Sequence, residues 1–206
     1  RALHRRRLHR LVNPVARRTV IHELRDYLFL HEDFAVYEPH FHNLCIPIRG
    51  HEHGVLINAW KSESADSVRF FTLWAYEDLG ERARLRAKLA SNARWTQEFL
   101  PQVRHLAQSQ TLRVLVPTAT QDASELCDAR AVKYLREYQC ASGHAPGVLS
   151  TLQAGLSDRP DAGCIWTVEF PDPNALFHLS RLAEDPLRAA KAPIKNTVTR
   201  ELIPAL

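Results

Sequence analysis

The segment Leu24-Arg25-Asp26-Tyr27 returns as Leu135-Arg136-Glu137-Tyr138. Trp60, Glu63, Asp66, Phe71 and Leu73 return 106 positions later as Trp166, Glu169, Asp172, Phe177 and Leu179. A chain that writes one unit twice is expected to fold as two like units. Residues common to both copies then maintain the fold, and residues found in one copy are free to have been shaped for chemistry.

Composition fits that division. With 45% apolar and 24% charged residues, the 206-residue chain has enough apolar material for two cores of ordinary domain size. Its basic character is local: residues 1–18 hold seven arginines and no acid. The rest carries 20 basic against 23 acidic residues, so the formal charge of +4 becomes −3 without this arm. Nucleic-acid binding would need a basic face on the folded part, whereas Arg82, Arg84 and Arg86 are interleaved with Glu81 and apolar residues. Nucleic acid is therefore not expected as a partner. Cys45, Cys127, Cys140 and Cys164 lie too far apart for a paired-cysteine metal site and read as reduced, buried thiols. No apolar run reaches the roughly 20 residues of a membrane-spanning helix. The excess of Arg over Lys, 22 to 5, points to a high-GC bacterial gene and a cytoplasmic protein.

Hydrophobic spacing supplies the elements. Thr19 to Phe29 reads as a strand. Phe34, Tyr37, Phe41, Leu44 and Ile48 recur at helical spacing, with Pro39 and Pro47 expected to kink or end the helix. Two β-favouring runs, 53–63 and 68–77, flank the turn-like Ser64-Ala65-Asp66-Ser67. A long helical segment follows over 79–108, expected to break at Pro101, and a fourth strand over 111–116 stops at Pro117. The order β-α-β-β-α-β is that of a ferredoxin-like unit, so the fold class is α+β. The expected boundaries are a basic arm at 1–18, a first repeat at 19–117, a linker at 118–130 and a second repeat at 131–206. In the second copy a strand over 132–140, a helix over 145–156 and a hairpin of 164–170 with 175–182 are expected. The copy-to-copy offset falls from 106 at the hairpin to 87 at Pro117 and Pro204, so the second long helix is about 19 residues short.

Glu23-Leu24-Arg25-Asp26-Tyr27, the run from Trp60 to Glu63, Leu73-Trp74-Ala75-Tyr76-Glu77-Asp78-Leu79-Gly80-Glu81-Arg82, and Trp95 with Phe99 together resemble the NIPSNAP family. The resemblance covers nearly all of 19–117 and, more weakly, 132–206. The second copy departs from it with Leu179-Ser180-Arg181-Leu182 and a shortened helix. The resemblance implies the dimeric α/β-barrel superfamily, whose ferredoxin-like units pair sheet to sheet, so two units in one chain would form an α/β barrel. It also implies company with cofactor-free monooxygenases, polyketide cyclases, isomerases, lactone-forming enzymes and haem-binding proteins. The NIPSNAP branch itself has no single established reaction, and some members act in trafficking or as interaction proteins.

Within such a barrel, strand alternation separates Glu23, Arg25 and Tyr27 from Val20, His22 and Leu24. The polar set is expected inside the barrel, on the reasoning that a helix-covered face must be apolar. Thr72, Trp74 and Tyr76 are expected there too, opposite Phe71 and Leu73, and their counterparts are His178, Ser180 and Leu182. His178, absent from the first copy, is the expected general base. Arg136 and Tyr138 are expected to hold a developing oxyanion. Trp74 would stack on substrate, with Arg25, Tyr27, Glu63 and Glu169 shaping and charge-balancing the cavity. The plainer alternative is that the Arg and Glu residues neutralise one another for structural reasons. His40, His42, His51 and His53 invite a metal or haem reading, but residues two apart project to different sides of a helix. A polar helix end accounts for them, so no metal and no cofactor is expected. The partner is a hydrophobic small molecule, and assembly into a homo-oligomer stays open. A biosynthetic enzyme catalysing proton transfer, cyclisation, isomerisation or cofactor-free oxygenation is favoured over a non-catalytic binding scaffold.

Overall fold

In the computed structural model the described residues are 20–118, 134–159 and 162–206. The basic arm, nearly all of the linker and Cys127 lie outside them. The first repeat runs β1 (Ile21–Phe29), α1 (His31–His40), a wide helical turn over Phe41–Cys45, α2 (Ile46–Arg49), β2 (Val55–Glu63) and β3 (Val68–Tyr76). It continues through α3 (Leu79–Ala90), a second wide turn (Trp95–Phe99), α4 (Leu100–Val103) and β4 (Ser109–Pro117). The second repeat is β5 (Tyr134–Cys140), α5 (Ala145–Leu156), β6 (Cys164–Phe170), β7 (Ala175–Ser180), β8 (Ile194–Glu201) and β9 (Ile203–Pro204). Asp78 caps α3 by accepting from the Glu81 amide, while the Glu81 carboxylate accepts from the Glu77 amide, a reciprocal capping arrangement.

The expected elements are present, with two local differences. Pro39 sits inside α1 without ending it, and the helix loosens into the wide turn at Phe41. The second helical segment breaks at Ser91–Asn92 rather than at Pro101, which instead falls in the first turn of α4, where its missing N–H costs nothing. In the second repeat no helix separates β7 from β8, as the shortened spacing requires.

All strands form one nine-stranded antiparallel sheet in the order β8-β5-β7-β6-β4-β1-β3-β2-β9. Each repeat contributes a four-stranded ferredoxin-like order, and the two are joined where β4 pairs with β6. At the far end β9 pairs with β2. β8 and β9 are separated by Leu202 alone, so the two edges of the sheet are successive pieces of one segment and the barrel is nearly closed. Pro117 lies opposite Trp166 at one seam and Pro204 opposite Trp60 at the other, a pair of equivalent contacts related by the two copies.

The barrel interior is apolar. It holds Leu24 with Leu135, Trp60 with Trp166, Phe71 with Phe177, Leu73 with Leu179 and Leu115 with Leu202, five copy-related pairs in one buried cluster. About 10 Å³ of free space remains between them, no more than one water requires. Beside this layer sits a charged one: Arg69 donates to both oxygens of Asp26 at 2.9 Å, and Arg113 lies 3.6 Å from Asp26 and 3.1 Å from Glu137. The guanidinium of Arg113 stands over Phe177 and that of Arg200 over Phe71, again as copy-related partners.

These placements invert the expected faces. Leu24, Phe71 and Leu73 point into the barrel, while Arg25, Tyr27, Trp74, Arg136, Tyr138 and His178 lie on the outer, helix-bearing face. Glu63 pairs with Lys61 at the rim of the first hairpin, and Glu169 is solvent-exposed. A shared interior is filled from both repeats, and the residues that fill it here are identical in the two copies: Leu24/Leu135, Trp60/Trp166, Phe71/Phe177 and Leu73/Leu179. The helix-bearing face tolerates ions because arginines on α3 reach down to neutralise them.

His22 belongs to the interior. It is 4% exposed, and its Nδ1 accepts the Trp166 indole N–H at 3.0 Å. Burial lowers its pKa to about 4, so the native imidazole is neutral near pH 7. The unfolded chain takes up a proton near pH 6.5 and the native chain does not until about pH 4. The stability tied to His22 is therefore complete above pH 6.5 and lost as pH falls from 6.5 towards 4, on the order of 3 kcal/mol in all. Urea unfolding at pH 7, 5.5 and 4.5 should show this decline, and His22→Gln, which keeps an acceptor for Trp166 but does not titrate, should make it shallower. Phe177→Ala, in the centre of the interior, should cost about 3–5 kcal/mol by the same assay. Glu169→Ala should stay within about 0.5 kcal/mol of the parent.

Candidate functional site

With the barrel filled, the space available to a ligand lies on the outer faces. Beneath the helices of the first repeat is a cavity of about 400 Å³, open to solvent on one side. Arg25 and Tyr27 of β1 form its floor, Tyr37, Trp95, Phe99 and Val103 its apolar walls, and Arg86 and Arg104 lie among its lining. The aromatic walls follow from the sequence pattern: Tyr37 is on the buried stripe of α1, and Trp95 and Phe99 stack at 4.6 Å on the wide turn after α3.

The floor is electrostatically anchored. Glu23 is fully buried and receives Arg25 at 2.5 Å, Arg82, and Arg86 at 3.4 Å. Burial alone would raise its carboxyl, but Arg25 and Arg82 and then Arg86 outweigh that and hold it below the usual range. Burial likewise works against the Arg25 charge, yet Tyr27 and Glu23 more than compensate and keep it protonated. Arg25 Nη1 also donates to the Tyr27 hydroxyl at 3.4 Å. With both oxygens of Glu23 already engaged, the cavity floor presents a guanidinium and a phenol.

A second arginine stands behind this wall. Arg49, 1% exposed, lies flat on Trp74 with its guanidinium carbon 3.3 Å from the ring centroid. Its Nη2 donates to the His53 carbonyl at 2.8 Å and to the Tyr76 hydroxyl at 3.0 Å. Gly54, at φ 95°, makes room for that tyrosine, since a Cβ there would fall 2.6 Å from its ring. Reading strand alternation in β1 and β3 did not reveal Arg49. The available signal was a basic residue immediately before Gly50 at a helix end, a position more often solvent-exposed.

In the second repeat the structure does bring Arg136, Tyr138 and His178 together, but closes them off. Arg136 lies opposite His178 across β5 and β7 and is fully buried. It donates to Ser180 Oγ and to the carbonyls of Leu182 and Ala183. Tyr138 donates to Asp185 at 2.8 Å, and burial together with this carboxylate raises its phenol. His178 Nε2 meets the Ala162 carbonyl at 2.6 Å, which assigns the proton to that nitrogen. Burial lowers its pKa to about 4, a poor match for a general base at neutral pH. The segment after β7, carrying Leu182 and Leu187 into the core, straps across the face that helices cover in the first repeat.

Trp74 also differs from its expected role, serving as the platform for Arg49 and donating its indole N–H to Thr72 at 3.0 Å. A recess of about 520 Å³ at the end of α5 is lined by Gln153, Leu156, Ser157, Arg159, Ala162, Gly163 and Ile165, none of them an expected site residue. Of the four clustered histidines His53 is buried, and among the described residues no three potential ligands converge on a metal position. The three described cysteines are buried. Among the described residues no helix is long and apolar enough to cross a membrane.

The NIPSNAP family model matches residues 22–121. A NIPSNAP-like domain protein from Burkholderia xenovorans is 27% identical, covering 51% of this chain and 90% of its own with a TM-score of 0.47. Two solved structures follow the fold across both repeats. One, from Fusobacterium nucleatum and provisionally named a monooxygenase, is 11% identical, covers 91% of this chain and 93% of its own, and has a TM-score of 0.63. The other, from Lactobacillus acidophilus with the same provisional name, is 13% identical, covers 91% and 95%, and has a TM-score of 0.57. At these identities the likeness is one of fold. Among curated proteins none matches. The first repeat of this chain is a NIPSNAP family domain, set in a tandem α/β barrel.

Proposed function

We propose that the chain is a small-molecule enzyme whose site is the helix-side cavity of the first repeat, acting on a flat, enolisable aromatic compound. The observation that carries this reading is the pairing of Arg25 with Tyr27 on the floor of a roughly 400 Å³ aromatic-walled cavity. Both groups donate hydrogen bonds, and together they stabilise a ketone oxygen as it becomes an enolate. Trp95, Phe99 and Tyr37 hold the ring system by apolar contact. The released proton passes to water at the open side, because among the described residues the lining contains no carboxylate or imidazole. The enolate is the common intermediate of isomerisation, cyclisation and cofactor-free oxygenation. In this reading the protein works in the bacterial cytoplasm on a biosynthetic compound, and Arg136, Tyr138 and His178 serve the second repeat as structural ties. The fold neighbours named as monooxygenases offer a precedent of architecture alone.

The missing base also favours a second reading, a non-catalytic ligand-binding protein. An anthrone separates the two, since its oxygenation is self-balanced: the ring CH₂ and one O₂ give the quinone carbonyl and one water. The enzyme reading expects saturable 1:1 binding by calorimetry and oxygen uptake well above the buffer rate. Arg25→Met and Tyr27→Phe should each lower kcat by about 10²-fold, as loss of one oxyanion donor does. Binding with no oxygen uptake and no isomerised product would favour the carrier, and absence of binding would reject this cavity as the site.

A further inference from the structure

Arg49 is a buried cation without a counter-ion. Among the described residues no carboxylate pairs with it, and its Nε has no hydrogen-bond partner. A guanidinium does not shed its proton on burial, so the charge persists where desolvation is costly. Its two partners, the Tyr76 hydroxyl and the His53 carbonyl, are neutral.

The strand register places this charge beside the cavity floor. Arg25 lies opposite Thr72, and Trp74, which carries Arg49, is two residues along on the same face. Diagonal neighbours of this kind stand roughly 7–8 Å apart. Glu23, opposite Trp74, is committed to Arg25, Arg82 and Arg86. Tyr37 and Cys45, which also face Arg49, bring no negative charge near neutrality, for burial raises the phenol well above its ordinary range and the thiol to about 11. Among the described residues between α5 and β6 there is no counterpart of α2; the buried arginine of the second repeat, Arg136, is instead held by three neutral oxygens.

Resting on the site proposed above, we infer that this cavity takes its ligand as an aromatic oxyanion, an ionised phenol or enol, whose charge completes Arg25 and Arg49. Arg25 makes the contact. Arg49, sealed behind Trp74 and Tyr76, is a positioning residue that acts through its field across a region poor in water.

4-Nitrophenol reports this directly, because its ionised form alone absorbs in the visible. Bound to the intact protein, its ionisation midpoint should fall at least about one pH unit below that of the free compound. The phenolate should bind at least about tenfold more tightly than the uncharged 4-nitroanisole, which is the same preference expressed as affinity. Arg49→Met should reduce the shift measurably, with Arg25, Arg86 and Arg104 at the cavity keeping the remainder, and Arg49→Lys should preserve it in full. If Arg49→Met does not fold, Arg49→Gln, which retains a donor for Tyr76 and His53, carries the same expectation. A probe that binds with an unshifted midpoint, or a shift left unchanged by Arg49→Met, overturns this inference and leaves the cavity as the site. Failure of both compounds to bind overturns the inference and the site together.

Discussion

The interior of the barrel commits the rest of the structure. Leu24 and Leu135, Trp60 and Trp166, Phe71 and Phe177, Leu73 and Leu179, and Leu115 and Leu202 leave almost no free volume. Because strand side chains alternate with a period of two, fixing these residues inward fixes their sequence neighbours outward. Arg25, Tyr27 and Trp74 are thereby delivered to the space between sheet and helices in the first repeat, and Arg136, Tyr138 and His178 to the corresponding space in the second. The charged layer beside the apolar one reinforces this register. A slip of β1 by one residue would turn Asp26 away from Arg69 and Arg113, leaving Arg69 without its carboxylate and Arg113 with Glu137 alone.

Much of this was legible in the sequence. The repeat, the order of elements, the shortened second unit and the α5 span of 145–156 all follow from residue spacing, because hydrophobic periodicity and turn chemistry are local properties. The facing of the sheet was not legible by the rule that helices cover apolar surface. That rule takes each repeat alone, where Glu23 and Arg25 look too polar for a helix interface. In the folded chain Arg82 and Arg86 arrive from α3, some sixty residues away, and satisfy Glu23 from above. The signal that separates the faces is identity between copies: the pairs Leu24/Leu135, Trp60/Trp166, Phe71/Phe177 and Leu73/Leu179, unchanged from one copy to the other, fill the shared interior, whereas Phe70/Leu176 and Ala59/Ile165, apolar but different, lie under the separate coverings.

The candidate site was legible in part, and the limits have the same origin. Arg25 and Tyr27 were expected to shape and charge-balance a cavity, with the oxyanion held by Arg136 and Tyr138; the structure keeps Arg25 and Tyr27 together at a cavity, though on the opposite face from the one expected. Arg49 was out of reach because its significance depends on a stack with Trp74 and on the absence of a carboxylate, both tertiary facts. His178 drew attention by its asymmetry between copies. In the structure its ring ties β7 to the Ala162 carbonyl.

The two copies of one arginine show how covering decides role. Arg25 and Arg136 occupy the same strand position and point the same way, yet they sit under different roofs. Above Arg25 the long helical segment holds Trp95, Phe99 and Val103 at a distance that leaves an open cavity, so its guanidinium keeps one side towards that space. Above Arg136 the shortened chain has no helix to offer, and the backbone after β7 descends until its carbonyls become the ligand. The carbonyls of Leu182 and Ala183 and the Ser180 hydroxyl supply what a bound anion would have supplied, without a net charge. The shortened second repeat thus holds its arginine as an internal clamp, while the first repeat leaves its arginine on the floor of an open cavity.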